Sequence, residues 1–380
     1  MNKVIHQVEP LAVKSSYTEN EIVDFVLDFE GRMMNLNSIR LNGKLKVMDN
    51  GGNRIVAQDV KLSHSVGLHS VISSITTELQ NGGVIENIGQ DYPRLVKTVG
   101  VATLKDGDYN MSNYVCEGRF NTDVPNQSVS QGQVAVRNGG NNANVAKDFE
   151  FSIKPMICLN RATGGNLSYN KSGSVRLSFN LEKNLKALNG VDCGTGGAVA
   201  YASNGMKYEL SDLKVSFYSD PDDGSNNPIQ MRTTQIVKSV LSSATANVSS
   251  KVPMMCVGVS CSFLSQSSEF SFNLDTNAME QPENIRQVQF LFNNASNQYI
   301  SYALDSIEEI MSKGIDSIAN TGHTNAQLSN LKANDAFILG CAFDDIIDLS
   351  NQQFNIQITS DITNANPFLL YQIFHGVSNL

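Results

Sequence analysis

Any chemistry in this chain would have to come from a few side chains, and the spacing of each candidate set argues against it. His64 and His69 stand five apart, which on a strand puts them on opposite faces, and no nearby carboxylate or thiol completes a metal-ligand set. Capping or surface roles are expected of both. Asp220-Pro221-Asp222-Asp223-Gly224-Ser225 begins like a calcium loop, but its glycine comes one position early, and Met231 occupies the place of the closing bidentate Glu. It reads as a turn. Gly194-Thr195-Gly196-Gly197 would cradle a phosphate only between a strand and a helix, and the Ala-Val-Ala-Tyr-Ala that follows has no amphipathic period. The pairs Asp344-Asp345 and Glu308-Glu309 point apart on a strand and diverge on a helix, so they read as solvated faces rather than as an acid and a base. Cys116, Cys158, Cys193, Cys256, Cys261 and Cys341 form no CxxC pair and stand at no zinc-ligand spacing from a His, so buried free thiols are expected. There is no nucleophile elbow and no Walker loop. No catalytic, cofactor-binding or metal-binding residue is assigned, and the chain is expected not to be an enzyme.

The elements that would position such residues are strands. Val23, Phe25, Leu27 and Phe29 alternate with polar neighbours, as do Ile39, Leu41, Leu45 and Val47, before the turn Asp49-Asn50-Gly51-Gly52. Ile75, Thr77 and Leu79 lead into Asn81-Gly82-Gly83, and residues 84–88 read as the returning arm of a hairpin. Asp91-Tyr92-Pro93 then opens a helix, with Tyr92, Leu95, Val96 and Val99 on one face and Gly100 as its end. Residues 106–147 are mostly polar and are expected to form an exposed excursion. Alternation resumes with Phe149, Phe151 and Ile153, with Val175, Leu177, Phe179 and Leu181, and with Leu213, Val215 and Phe217. The turn formers between Pro221 and Pro228 mark a boundary. Beyond it strands are expected around 232–241, at Val257 to Phe263, at Val288 to Phe292, over 337–343, at Phe354 to Ile358 and over 368–374. A second helix is expected over 302–313, with Leu304, Ile307 and Met311 on one face and Gly314 as its stop.

Composition agrees with a folded, mostly β chain. At 380 residues it exceeds the roughly 250–300 at which a single core stops growing, so two packed units are expected. Apolar residues make up 41% and charged ones 17%, enough for cores and too little charge for disorder. The net charge of -9 and the absence of any Lys/Arg block argue against a direct nucleic-acid partner. The greasiest stretch, 252–264, is broken by Pro253 and Gly258 and is too short for a membrane span. Residues 1–10 contain Glu9 and lack the apolar run of a secretion signal, so no secretion is expected. Asn-x-Ser sites begin at Asn110, Asn126, Asn166, Asn170, Asn247 and Asn294, a frequency that an Asn- and Ser-rich chain reaches by chance.

The order of the first half resembles a known group. The runs 22–29, 38–48 and 68–83, then Asp91-Tyr92-Pro93 opening a helix, look like the start of capsid proteins in the double jelly-roll virus lineage. Residues 149–152, 173–185 and 211–218 are similar to the closing strands of the same barrel, and 348–358 resembles the final strands of vertex (penton) proteins from virophages and polinton-like viruses. The resemblance implies an all-β fold: a jelly-roll sandwich with a second β-barrel unit and two short helices. The jelly roll would span 1–225, with its polar excursion at 106–147, and the second β unit 226–380. Alternatively, both chain ends would build one jelly roll around an inserted β domain. The implied function is a penton capsomer of an icosahedral shell, a homopentamer contacting a neighbouring major capsid protein, resident in the virion and assembled in the host cytoplasm. A homotrimeric double jelly-roll major capsid protein is the alternative within this class. A non-capsid receptor- or glycan-binding β module is the alternative outside it, although the chain has no Trp to supply a stacking platform. No cofactor is implied.

Overall fold

The computed structural model describes residues 3–48, 51–52, 61–63, 66–103, 117, 148–189, 207–224, 227–270, 276–292, 295–302, 306–323, 325–333 and 335–380. The first half contains β1 (Val4–Val8), β2 (Ile22–Leu27), β3 (Arg32–Met34), β4 (Arg40–Met48), β5 (Lys61–Leu62), β6 (Ile72–Leu79) and β7 (Gly83–Ile88). Helix α1 (Tyr92–Thr103) follows, then β8 (Phe149–Ile153), β9 (Ala162–Gly164), β10 (Leu167–Ser168), α2 (Tyr169–Ser172), β11 (Val175–Leu181), α3 (Asn184–Ala187), β12 (Leu188–Asn189) and β13 (Lys207–Pro221). The second half contains β14 (Ile229–Leu241), β15 (Thr245–Ser250), β16 (Met255–Ser265), β17 (Gln287–Phe292), β18 (Ala295–Tyr302), α4 (Ile307–Ala319), α5 (Leu328–Ala333), β19 (Ile338–Asp348), β20 (Phe354–Thr359) and β21 (Phe368–Asn379).

These strands make two β-sandwiches. In the first, a sheet ordered β10-β3-β13-β4-β8, with β1 also on β13, faces a sheet ordered β2-β11-β6-β7. In the second, β19-β16-β21-β14-β9 faces β15-β20-β17-β18. All the pairings are antiparallel. Each sandwich follows from alternation. Along β2 the buried residues are Val23, Phe25 and Leu27, and along β11 they are Val175, Leu177, Phe179 and Leu181. β11 lies between β2 and β6 with Phe179 opposite both Val23 and Ile75, and Phe25 and Phe179 pack edge to face at 5.9 Å. The second core is built on Phe354, whose ring lies 5.5 Å from those of Phe292 and Phe374 and 5.9 Å from that of Phe290.

Five α-helical segments occur among the described residues, not two, because α2, α3 and α5 are helices of only four to six residues. α1 runs past Gly100 to Thr103, whose Oγ1 donates to the Val99 carbonyl at 2.7 Å. α4 departs further from expectation. It begins at Ile307, where Ser306 accepts the Glu309 N–H at 3.2 Å as an N-cap, and it continues through Gly314 to Ala319. Glu308 and Glu309 occupy its first turn, where the positive end of the helix dipole favours them. Gly314 is not a stop. It lies against β19, and a Cβ placed there would sit 2.8 Å from Ile338 Cγ1, so the missing side chain is what lets helix and sheet approach. The expected break after Pro221 also starts later, since Pro221 itself still pairs with Arg32 at the end of β13.

Candidate functional site

The two apolar cores meet across a polar seam, and α1 lies in it. Tyr92, Leu95, Val96 and Val99 belong to the first core, whereas Val101 and Ala102 belong to the second. An amphipathic pattern that satisfies one core with its first two turns and the other with its last makes this helix a tie between the two. The carbonyls of its last turn are taken by the second half: Gln327 N–H and Asn330 Nδ2 both donate to Ala102 O at 3.0 Å, and Asn325 Nδ2 donates to Thr103 O at 2.7 Å.

At the start of α1, Arg94 is 2% exposed. Its Nη2 donates to Thr276 O at 2.7 Å and its Nη1 to Ala278 O, while the guanidinium lies 4.4 Å from the centre of the Tyr371 ring. Beside it Lys186 Nζ reaches Asp91 at 2.8 Å and Glu269 at 3.4 Å, and Lys238 closes on the same Glu269. Burial pulls the Lys186 ammonium down, but Asp91 and Glu182 outweigh it and hold the group above an ordinary lysine.

The other half of the seam is centred on Glu86 of β7, whose side chain is 1% exposed. Glu86 accepts the Cys158 N–H at 2.6 Å, the Thr234 N–H at 2.9 Å and Arg161 Nη2 at 2.7 Å, so one carboxylate binds groups from both halves. Burial pushes its carboxyl up, against the opposing pull of Arg161 and the two backbone donors. His375 of β21 lies nearby, 2% exposed, with Nε2 at 2.8 Å from Ser260 Oγ. Burial pushes its imidazole down to about 3, and Arg161, His323 and Arg232 push the same way.

The residues weighed on spacing alone take structural places. His69 is not at the surface but 1% exposed, because a 3-10 turn at Gly67–Val71 carries it under α1. There its Nδ1 is 2.8 Å from Tyr92 Oη and its Nε2 is 3.6 Å from Glu117, a carboxylate too far away in sequence to be foreseen. Asp222 accepts Ser168 Oγ and the Gly224 N–H, each at 2.9 Å, which makes a turn. Asp344 and Asp345 are exposed on β19, and Glu308 pairs with Lys332 at 3.1 Å. Cys158, Cys256, Cys261 and Cys341 are buried free thiols, and burial raises Cys256 and Cys341 to about 12. His64, Cys116, Cys193, the Gly194–Gly197 run and nearly all of 106–147 lie outside the described residues. The seam residues were missed. The available signal was Glu86, which shares a face with Ile88 in an alternating strand and is buried with it.

Apolar side chains also stand exposed on strands at the ends of sheets: Ile22 on β2 at 63%, Val84 on β7 at 59% and Ile346 on β19 at 49%. Strand edges of this kind are where a second chain can dock. No helix among the described residues is long and apolar enough to cross a membrane.

No known protein family matches the sequence, and no curated protein matches it. Solved structures do match. The major capsid protein of Faustovirus superposes with a TM-score of 0.60 at 8% identity, over 100% of this chain and 90% of that one. A chain of the Sputnik virophage, from a cryo-EM structure, gives 0.61 at 9% identity over 100% and 86%. The mavirus major capsid protein gives 0.51 at 8% identity over 99% and 88%. At such identities the likeness is one of fold, and the fold is that of the double jelly-roll capsid proteins.

Proposed function

We propose that this chain is a structural subunit of a viral shell, built to assemble with copies of itself and not to catalyse. The observation that carries the reading is the pair of antiparallel sandwiches that uses the chain from β1 to β21 and is matched over 99–100% of its length by the major capsid proteins of Faustovirus and mavirus. Folding each sheet against a partner covers its faces and leaves sides and end strands for neighbours. Copies related by a rotation then make head-to-tail contacts that close a ring.

Two details support a sequential division near residue 225 over a jelly roll made from both chain ends. β1 pairs with β13 in the first sandwich, while β21 pairs with β14 and β16 in the second. The division is not clean, since β9 crosses to pair with β14.

Within the shell class, the likeness of residues 348–358 to the final strands of vertex proteins supports the pentameric vertex capsomer, and two sandwiches per chain suit a trimeric capsomer. Both readings place the protein in the virion, beside copies of itself or of a companion shell protein. Native mass spectrometry of the purified full-length chain tests this reading. A closed ring of identical copies is expected, and three would make it the trimeric capsomer. Five would make it the vertex capsomer, and a monomer at every concentration that binds a glycan on an array would replace the shell reading with a recognition module.

A further inference from the structure

A cavity of 380 Å³ opens where the seam meets the surface, and Arg40, Lys154 and Arg161 among its lining residues bring three positive groups to it against the one described carboxylate of Glu117. Arg40 enters from the start of β4, Lys154 follows β8, Arg161 sits in the 3-10 turn Cys158–Arg161, and His323 follows α4. Asn160 and Asn325 add amide groups, and Glu117 is the carboxylate among the described lining residues. Three cations facing one cavity stand out in a chain of net charge -9, because like charges held together repel one another, and of the three Arg161 is paired with Glu86.

Several donors here are not used up. Arg161 gives Nη2 to Glu86 and Nη1 to Thr234 Oγ1 at 2.7 Å each, yet its Nε is buried without a partner among the described residues. Arg40 makes only long contacts, 3.4 and 3.5 Å, to Ser152. Lys154 is half-buried; its N–H is 3.4 Å from Glu117, but no described acceptor takes its ammonium. Burial and then Arg40 push that ammonium down, against an opposing pull from Glu117, and burial with Arg161 and Arg232 pushes His323 down to about 4. Burial leads both shifts and the guanidinium groups of Arg40, Arg161 and Arg232 add to them, so positive groups stand close around the cavity. Of the groups that would repel an anion, the carbonyls of Val99, Ala102 and Thr103 at the end of α1 accept protein donors, and the Glu117 carboxylate accepts the Lys154 backbone N–H and lies 3.6 Å from His69 Nε2.

We propose that this cavity binds a small oxyanion of the phosphate class, held by Arg40, Lys154 and Arg161 between the two sandwiches. The site goes beyond the shell reading and does not depend on it. Its lining joins β4, β8 and the 3-10 turn of the first half to His323 and Asn325 of the second. An occupant bound only by the folded arrangement stabilises the junction by mass action.

The test is calorimetric titration of the full-length chain, purified free of phosphate and sulfate, with inorganic phosphate and with pyrophosphate at constant ionic strength. Saturable binding of one anion per chain is expected. Arg40→Gln and Lys154→Gln should each weaken it on the order of tenfold or more, as for loss of a charged hydrogen bond, while Lys313→Gln on the exposed face of α4 should leave it unchanged. Lys154→Arg keeps the charge and should retain binding, which separates loss of the site from loss of the fold. A nucleoside monophosphate is titrated in parallel and should bind no more tightly than the free anions. Binding of that ester alone, equal binding of chloride, or phosphate binding that survives both Gln substitutions would overturn the proposal.

Discussion

Acid should weaken this protein through His375, and the size of the effect follows from its surroundings. The imidazole is 2% exposed on β21 and is hydrogen-bonded to Ser260 of β16. Arg161 of the 3-10 turn, Arg232 of β14 and His323 beyond α4 all act on it as positive or potentially positive groups, and the Glu86 carboxylate of β7 is committed to Arg161 and two backbone N–H groups. Its folded value of about 3 lies below the ordinary 6.5. Between those values the unfolded chain binds the proton and the folded chain does not, so stability rises with pH there. The contribution is complete above pH 6.5 and is lost progressively as pH falls towards 3. Between pH 7 and pH 5 the unfolded chain gains about 2 kcal/mol from this one site. Glutamine retains a hydrogen-bonding partner for Ser260 but does not titrate. Urea unfolding of the chain and of His375→Gln, followed by circular dichroism at pH 7 and pH 5, should therefore show that the variant loses about 2 kcal/mol less than the parent on acidification. Equal losses in the two proteins would refute the assignment of a neutral, seam-buried His375.

Three further outcomes follow from packing. Gly314→Ala would ordinarily strengthen a helix, but its Cβ would lie 2.8 Å from Ile338 Cγ1 and 3.1 Å from the Ile338 carbonyl. The sign should reverse, to a loss of about 1–2 kcal/mol in thermal unfolding. Arg94→Met strands the Thr276 and Ala278 carbonyls in the seam and should cost about 3 kcal/mol, with faster proteolysis around residues 276–285 as a local readout. Phe354→Ala removes the ring that Phe290, Phe292, Phe343 and Phe374 surround. It should cost about 3–5 kcal/mol in urea unfolding.

Much of the fold was legible because a strand with one buried face must alternate. Val23 to Phe29, Val175 to Leu181 and Phe354 to Ile358 announce their inward faces locally, and the Asn81-Gly82-Gly83 turn sets the β6 and β7 hairpin. The ends of helices were less legible. Gly100 and Gly314 both look like stops, yet each lies inside a helix, because a glycine that ends a helix and one that lets a helix touch a sheet are the same residue in sequence. His69 carried a surface expectation for a similar reason: its partners Tyr92 and Glu117 lie 23 and 48 positions away.

Periodicity and turn chemistry by themselves determined that this is an all-β chain with more core than one sandwich can hold, since both are local consequences of where side chains point. Tertiary structure alone decided which polar residues are buried together. Glu86, Arg94, Arg161, Lys186 and His375 come from five different elements or turns, and only Glu86, on one face with Ile88, has a neighbour in sequence that marks it. Only the docking of two sandwiches removes them from water, and that loss of solvent makes their pairing, their charge and the cationic cavity beside them matter.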